Sequence, residues 1–340
     1  MNQGRKRKNS GRVTLADVAK LAGVGSMTVS RALRTPELVS EGLRARIDAA
    51  VAQLGYLPNK AAGALASSSS DTIAVILPSL TEFATNEMVL ALKSVLEPAG
   101  YQLIFTASNY DSMEEEKQVR ALLQHSPAAL ILPGTPHTPQ TLKYIANINL
   151  PVVEISALTY EPIHINVGVD HHASAYQLTK FLYMKGYRQI GFIGAYTNFG
   201  RFAMRLAGWQ KAMLDHNLAS HRLVLGLPQA SFSVGADCLI STLERWPDID
   251  AVICSHSELA AGLILEANKR GIKLPEQLAV ATFDDPNLCN TLQPSLTTVD
   301  IPYAEVGKEA AQSLLDALNH SQRNPVIKSI GFRIKTRAST

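Results

Sequence analysis

The sequence predicts two dissimilar parts, a small all-α unit at the N-terminus and a larger α/β core built on parallel strands. Two patterns indicate this division. Residues 1–60 carry apolar side chains at helical spacing and an excess of positive charge, whereas from Thr72 onward short apolar runs alternate with amphipathic segments. With 340 residues, of which 46% are hydrophobic and 18% charged, the chain is large enough for about two or three globular domains.

The first two helices are predicted from capping signals and apolar spacing. Thr14 and Asp17 have the spacing of a capping box, and apolar residues then recur at helical intervals over 15–22. Gly23 ends this helix, and Gly25 is acceptable as the N-cap of the next one. A tight turn therefore separates two short helices.

The second helix is predicted over 26–34, and a third one follows the break at Pro36. Ser40 is the expected N-cap of the third helix, whose apolar residues over 43–54 form one stripe that can cover the first two helices. Three helices around one small core, with a tight turn between the first two, form the helix-turn-helix arrangement.

Charge is distributed unevenly between the two parts. Eleven Lys and Arg residues against four acidic ones give residues 1–60 a net charge of +7, which leaves −4 on residues 61–340. This asymmetry predicts that the N-terminal unit meets a polyanion. The second helix can enter a DNA major groove about 12 Å wide, where Arg31 reaches a base edge. A helical hairpin that only packs is the alternative. The outward side chains are Ser26, Met27, Ser30, Arg31 and Arg34.

The segments VTLADVAKLAGVGSMTVSRALR and LGYLPNKAAGALASSSSDTIAVILPSL resemble the LacI/GalR family of bacterial transcription repressors, and the resemblance extends over essentially the whole chain. It implies phosphate contacts by Thr14, Thr28, Ser30 and Asn59, base reading by Ser26, Met27 and Arg31, and a minor-groove wedge at Leu65. Arg34 completes the predicted DNA-binding surface. Gly25 stands where the family usually has Ser or Thr, which removes a side-chain cap and one phosphate contact.

Residues 61–70 are predicted to be a hinge and linker. Pro58 ends the three-helix unit, Asn59 to Ala66 can form one or two helical turns, and Ser67 to Ser70 is a flexible tether. In the family two such helices pair on DNA, and paired apolar wedges kink the duplex. A plain linker is the alternative.

Near-continuous apolar runs separated by helices predict parallel strands buried on both faces. The runs are TIAVILP, YQLIFTA, AALILPG, PVVEIS, HINVGV, QIGFIG, AVICS and QLAVATF. The resemblance implies a periplasmic-binding-protein-like core of two doubly wound subdomains around a cleft, with chain crossings near residues 169, 300 and 328. The predicted domains are 1–60 for DNA binding, 61–70 for the hinge and 71–340 for effector binding and dimerisation, the last divided into 71–169 with 300–328 and 170–299 with 329–340.

Ligands in such sheets bind at the carboxyl ends of the strands. The resemblance implies that Arg205 and Asp284 hold ligand hydroxyls from opposite sides; without it, a solvated helix residue and a turn residue would be the favoured interpretations. His256 and Ser257 replace an Asn-Asp pair usual in the family. The predicted effector-binding residues are Asn109, Tyr110, Glu154, Arg201, Arg205, His256 and Asp284.

The segments YDSMEEEKQVRALL and HTPQTLKYIANINLPVVEIS are similar to the branch of the family that represses gluconate and related sugar-acid operons. A sugar acid is therefore the expected effector. Arg201 lies four residues before Arg205 on the same helical face, and a guanidinium in a closed cleft pairs well with a carboxylate. A neutral sugar is the alternative, because arginine also bonds neutral hydroxyls.

An enzyme is not expected, since the sequence contains no GxSxG, Walker or HExxH motif. His171 and His172 are interpreted as a helix N-terminus and not as metal ligands, and no cofactor is predicted. The three cysteines are widely spaced and are interpreted as small buried apolar residues: Cys238, Cys254 and Cys289.

The expected partners are double-stranded operator DNA, a carbohydrate or sugar-acid effector and a second copy of the chain. A homodimer is predicted because one three-helix unit covers only half of a palindromic operator. No membrane association is expected, because the sequence has no long apolar run and its basic start is not followed by a signal-peptide core. We therefore expect a bacterial cytoplasmic protein associated with the nucleoid, and not a periplasmic sugar-binding protein.

Overall fold

The chain divides into two compact units, Met1–Ser69 and Ser70–Thr340. The computed structural model describes residues 13–57, 70–134, 136–148, 150–195, 200–227, 230–319 and 325–340. The predicted hinge, including Asn59 and Leu65, lies outside the described residues. Among the helices of the described ranges, none is long and apolar enough to cross a membrane.

The first unit contains the three predicted helices. They are α1 (Leu15–Ala22), α2 (Ser26–Arg34) and α3 (Glu41–Leu54), with a short 3₁₀ turn at Pro36–Leu38 that the sequence did not predict. The capping box at the start of α1 is confirmed, since the Asp17 N–H donates to Thr14 Oγ1 and the Thr14 N–H donates to Asp17 Oδ2. Ser40 stands at the N-cap of α3, but its side chain makes no capping bond.

Glycine at position 23 allows the tight turn after α1. Its φ of 66° lies in the left-handed region that side chains rarely adopt, and its N–H bonds the carbonyl oxygens of Ala19 and Lys20. Arg46 of α3 donates to the Ala22 carbonyl oxygen at 2.5 Å and so joins the third helix to the end of the first. The core between the helices consists of Val18, Ala19, Ala22, Val29, Ala32, Ile47, Ala50 and Tyr56.

The second unit contains two sheets with six strands each. The first has the order β11-β5-β4-β3-β1-β2, and every pair in it is parallel. The second has the order β12-β10-β9-β8-β6-β7 and is parallel apart from β12. The strands are β1 (Thr72–Leu77), β2 (Gln102–Ala107), β3 (Ala129–Pro133), β4 (Val152–Ala157), β5 (Ile165–Val169), β6 (Ile190–Ala195), β7 (Leu223–Gly226), β8 (Ala251–Cys254), β9 (Ala279–Phe283), β10 (Thr297–Asp300), β11 (Val326–Ser329) and β12 (Arg333–Lys335).

Helices cover both faces of each sheet, as the doubly wound fold requires. The first sheet has α4 and α12 on one face and α5 and α6 on the other, and the second has α7 and α8 opposite α9 and α10. The helices are α4 (Phe83–Leu96), α5 (Ser112–Leu123), α6 (Pro139–Ala146), α7 (His171–Met184), α8 (Gly200–Asp215), α9 (Phe232–Arg245), α10 (Ser257–Lys269), α11 (Leu288–Thr291) and α12 (Tyr303–Asn319).

The chain passes between the two sheets three times: from β5 to α7, from β10 to α12 and from β11 to β12. The predicted helix start at His171 is confirmed, with Asp170 as N-cap. Strands β7, β10, β11 and β12 do not correspond to any of the eight predicted runs; each has only three or four residues. All three cysteines are buried, as expected for small apolar residues.

Helix α8 can approach α7 closely because residue 208 is glycine. A Cβ at this position would lie 2.2 Å from the His172 carbonyl oxygen, so any side chain would force the helices apart. Arg205 lies one turn before Gly208 on the same helix. The close packing therefore fixes the helix that carries the two arginines of the predicted site.

Candidate functional site

In the second unit, polar side chains that follow strand ends of both sheets contact one another, and we call the region where they meet the cleft. Ser255 and His256 come directly after β8, and Asp284 comes directly after β9. From the first sheet, Tyr110 follows β2. Helix α8 adds two arginines near its start, Arg201 and Arg205.

Arg205 is fully buried and is held by groups of the second sheet. Its Nη1 donates to the Ser255 carbonyl oxygen at 2.6 Å, and its Nη2 donates to Asp284 Oδ1 at 3.0 Å. The guanidinium also stacks on the ring of Phe283, 4.3 Å from its centroid. The resemblance implied that Arg205 and Asp284 hold a ligand from opposite sides; in the structure the two side chains form a direct ion pair.

Asp284 is buried and remains ionised. Burial by itself would raise its pKa, but the positive charges of Arg205 and Arg201 outweigh burial and lower the pKa to about 2. The Tyr303 hydroxyl, at the start of α12, donates to Asp284 Oδ1 at 2.6 Å. Tyr303 was not among the predicted site residues. It lies at the start of α12, after the chain has left β10 of the second sheet for the helices that cover the first sheet.

Arg201 reaches the opposite side of the cleft. Its Nη2 donates to Glu82 Oε2 at 2.6 Å and lies 2.9 Å from the Tyr110 hydroxyl, which itself donates to Glu82. Glu82 is the N-cap residue of α4 in the first sheet's layer. Burial would raise the pKa of Glu82, but the Arg201 charge and further contacts lower it. The sequence analysis missed Glu82, although it follows the end of β1 by only five residues.

Two buried histidines complete the described cluster. Burial lowers the pKa of His256 to about 4, and Arg201 and Arg205 act in the same direction. Burial likewise lowers the pKa of His171 well below its ordinary value, with further lowering by Arg205 and Arg201. Both rings are therefore neutral at neutral pH. His256 Nδ1 lies 2.8 Å from Ser255 Oγ.

The backbone at this cleft adopts left-handed conformations that residues other than glycine rarely take. The φ angles are 52° at Asn109, 60° at Tyr110, 84° at Ser156 and 69° at Asp284. Such conformations cost about 1–3 kcal/mol each and cluster at functional sites. Asn109 is exposed at this edge.

The predicted position of Glu154 is wrong. Side chains alternate along a strand, and because Val153 and Ile155 face α4 and α12, Glu154 faces α5 and α6. There Glu154 Oε2 accepts a bond from the Ile163 N–H at 2.7 Å, and Oε1 lies 3.4 Å from His137 Nε2. His137 Nδ1 lies 2.5 Å from Glu115 Oε1. Glu154 belongs to this buried structural cluster and not to the cleft.

In the first unit, the side chains predicted to meet DNA lie on the outer surface of α2. Met27 is 81% exposed. Ser26, Arg31 and Arg34 are also exposed, whereas Thr28 and Ser30 are half-buried. The Thr14 hydroxyl is exposed at the start of α1, where it donates to Asp17 Oδ2 at 2.6 Å.

Comparison with known proteins identifies the family. The chain is 33% identical over 323 residues, 95% of its length and 97% of the other, to the HTH-type transcriptional regulator GntR of Escherichia coli (strain K12). It belongs to the LacI family of bacterial regulatory proteins. The LacI-family profile matches residues 14–59, and that of a periplasmic binding protein-like domain matches residues 179–340.

Other LacI-family proteins are similar over the same lengths. The HTH-type transcriptional regulator IdnR of Escherichia coli (strain K12) is 31% identical over 326 residues, covering 95% of this chain and 97% of the other. A LacI-family transcriptional regulator from Silicibacter pomeroyi has a structure with a TM-score of 0.90 and 30% identity, covering 96% of this chain and 99% of the other. The chain is therefore a transcriptional regulator of this family, with a helix-turn-helix unit and two α/β subdomains.

Proposed function

We propose that this LacI-family regulator represses genes for the use of a sugar acid such as gluconate, and that a carbohydrate effector releases it from a palindromic operator. The observation that carries the proposal is the pair of arginines on α8, which face carboxylates from both sides of the cleft. Guanidinium groups in a buried cleft can bind both a carboxylate and the hydroxyls of a sugar. Similarity to GntR and IdnR supports the sugar-acid branch.

In this proposal Arg205 and Asp284 bind effector hydroxyls, and Arg201 binds the effector's carboxylate. His256 is neutral and can accept or donate one hydrogen bond. Tyr110 and Asn109 complete the site from the first sheet. Glu154 is left out because of its place in the structure.

Each predicted domain has one role in this proposal. Residues 1–60, which include Asn59, bind DNA, 61–70, which include Leu65, form the hinge, and 71–340 bind the effector and dimerise. The DNA-binding residues are Thr14, Ser26, Met27, Thr28, Ser30, Arg31, Arg34, Asn59 and Leu65.

Release would follow from motion of the two subdomains around the effector. A ligand shifts a conformational equilibrium only by its difference in affinity for the two states. An effector that contacts Arg205 from one sheet and Tyr110 from the other favours one relative orientation, which would separate the paired hinges of a homodimer. Because operator DNA is the proposed target, we expect the regulator to act in the cytoplasm, at the nucleoid.

A neutral sugar is the second candidate effector, and one observation favours it. Both cleft arginines are already paired with carboxylates, Arg201 with Glu82 and Arg205 with Asp284. A neutral sugar could bind to these pairs without adding charge. A ligand that acts as a corepressor would be a further alternative.

Calorimetry with gluconate and glucose tests the effector class. We expect wild-type protein to bind gluconate and Arg205→Ala to lose that binding, with Arg188→Ala, which removes a surface arginine elsewhere, as the control. Binding of glucose and not gluconate would contradict the sugar-acid assignment. Sedimentation of the free protein tests the homodimer, which a monomer or a stable tetramer would contradict.

A further inference from the structure

We propose that Glu82 is a built-in competitor for an anionic effector: its carboxylate occupies Arg201 as an effector carboxylate would, and so sets the balance between acidic and neutral ligands. This inference rests on the proposed function of the cleft as an effector site. It concerns a residue that the sequence analysis did not include.

The geometry around Glu82 is that of an ion pair across the cleft. Glu82 Oε2 and Arg201 Nη2 are 2.6 Å apart, with side-chain exposures of 19% and 9%. The Tyr110 hydroxyl donates to the other oxygen of Glu82. Both carboxylate oxygens of Glu82 are therefore bound: Oε2 by Arg201 on a helix of the second sheet, and Oε1 by Tyr110 after a strand of the first sheet.

The Glu82 side chain does not cap helix α4. Glu82 occupies the N-cap position of α4, where a shorter Asp, Asn, Ser or Thr would bond the free N–H groups of the helix, but its side chain makes no capping bond. The carboxylate extends instead to Arg201. Helix α4 does not depend on this carboxylate for its start, and the amide oxygen of a glutamine at this position can still accept a hydrogen bond from Arg201.

Each arginine of the described cleft is already paired with one carboxylate. Arg201 and Arg205 are positive, Glu82 and Asp284 are ionised with lowered pKa values, and the pKa values of His171 and His256 are lowered, which keeps both rings neutral. Glu258 at the start of α10 has a pKa raised by burial, and it is not an ion-pair partner of either arginine among the described residues. Because each arginine is already paired with a carboxylate, an added effector carboxylate can pair with an arginine only by displacing one of these resident carboxylates.

Glu82 is the carboxylate that yields. Asp284 is buried, accepts from both Arg205 and Tyr303, and is fixed on left-handed backbone next to β9. Glu82 is more exposed, has a longer side chain and belongs to the other sheet's layer. An effector carboxylate thus takes Arg201 from Glu82 more readily than Arg205 from Asp284.

The test is calorimetric titration of gluconate and of glucose into the full chain as wild type, Glu82→Gln and Glu87→Gln. Glu87 lies on α4 and is half-buried, so its substitution makes the same change in charge away from Arg201. We expect Glu82→Gln to bind gluconate about tenfold more tightly than wild type, which is the size of one charge-assisted hydrogen bond. Glu87→Gln should change gluconate affinity less than about twofold, and Glu82→Gln should leave any glucose affinity within about threefold.

The outcomes separate this inference from the proposed function. Equal or weaker gluconate binding by Glu82→Gln, with binding by wild type intact, overturns the inference and leaves the sugar-acid assignment standing. Gluconate binding by Glu82→Gln alone supports the competitor and contradicts a sugar acid as the natural effector. If neither wild type nor Glu82→Gln binds gluconate, and the variant unfolds at the same temperature as wild type, both the competitor inference and the sugar-acid assignment are overturned.

Discussion

The two units use arginine in opposite ways. On α2 of the N-terminal unit, Arg31 and Arg34 are exposed, so their charge can act on a large polyanion that arrives from outside. In the cleft, Arg201 and Arg205 are buried and paired with carboxylates. Exposed arginines can be replaced with little effect on folding, whereas buried and paired arginines support the structure. Substitutions in the cleft and on α2 test this contrast.

Replacing Arg205 by Ala should have the largest effect on stability. It leaves Asp284 buried without its cation, and removing one partner of a buried pair typically costs about 3–5 kcal/mol. Arg201→Ala should cost less, about 1.5–3 kcal/mol, because Glu82 is partly exposed to water. Urea unfolding of the three proteins measures both. Equal stability of Arg205→Ala and wild type would contradict the role assigned to the buried pair.

Stability should also depend on pH through His256. Its pKa is lowered from 6.5 to about 4 in the folded protein, so the unfolded chain binds a proton more readily between these values. The free energy of unfolding should therefore fall as the pH falls from about 6.5 to about 4, by about 3 kcal/mol from this residue. His171 acts in the same direction.

Unfolding of His256→Asn across the same pH range isolates this contribution. We expect a weaker pH dependence than in wild type, with the remainder due to His171 and other groups. His125→Asn, at a position where the structure places an exposed histidine, provides the control. An identical pH dependence in His256→Asn and wild type would show that the ring is not kept neutral by its surroundings.

Arg31→Ala should affect DNA binding and not folding. Loss of a bidentate contact to a base costs about 1–3 kcal/mol of discrimination, so the variant should bind specific and mismatched operators more equally. Its urea unfolding should match wild type within about 0.5 kcal/mol, since the side chain is exposed. A large loss of stability would show that Arg31, like the cleft arginines, supports the fold, and would contradict the contrast between the two units.

Gly25→Ser should have the smallest effect. Gly25 is the N-cap of α2 with extended backbone and no side-chain bond, and a Cβ there meets no atom within 4 Å. A serine hydroxyl can cap the helix, which should stabilise the unit by a few tenths, about 0.3 kcal/mol. Thermal unfolding should shift slightly upward, and a downward shift would show that glycine is required at this turn.

The sequence predicted the helices of the N-terminal unit better than it predicted the residues that line the cleft. Capping residues and apolar spacing determine helices locally, and the predicted bounds of α1 and α2 agree with the structure. Arg205 and Asp284 were placed together through the family resemblance. Their spacing in the chain, 79 residues, carries no such information.

The errors have a common physical cause. Whether Glu154 faces the cleft or the helices depends on which face of β4 it occupies, and an apolar run buried on both faces does not reveal this. Glu82 and Tyr303 become neighbours of the arginines only through the crossing of the chain between the sheets. Tertiary packing and not local pattern decides these positions.

The central claim is that ligand binding in the cleft controls DNA binding by the N-terminal unit. The most direct test is a gel-shift titration of gluconate against complexes of wild type and Arg205→Ala with a palindromic operator selected from random DNA. We predict that gluconate releases wild type and leaves the Arg205→Ala complex intact. Release of both proteins at the same concentration, or of neither, would contradict the claim.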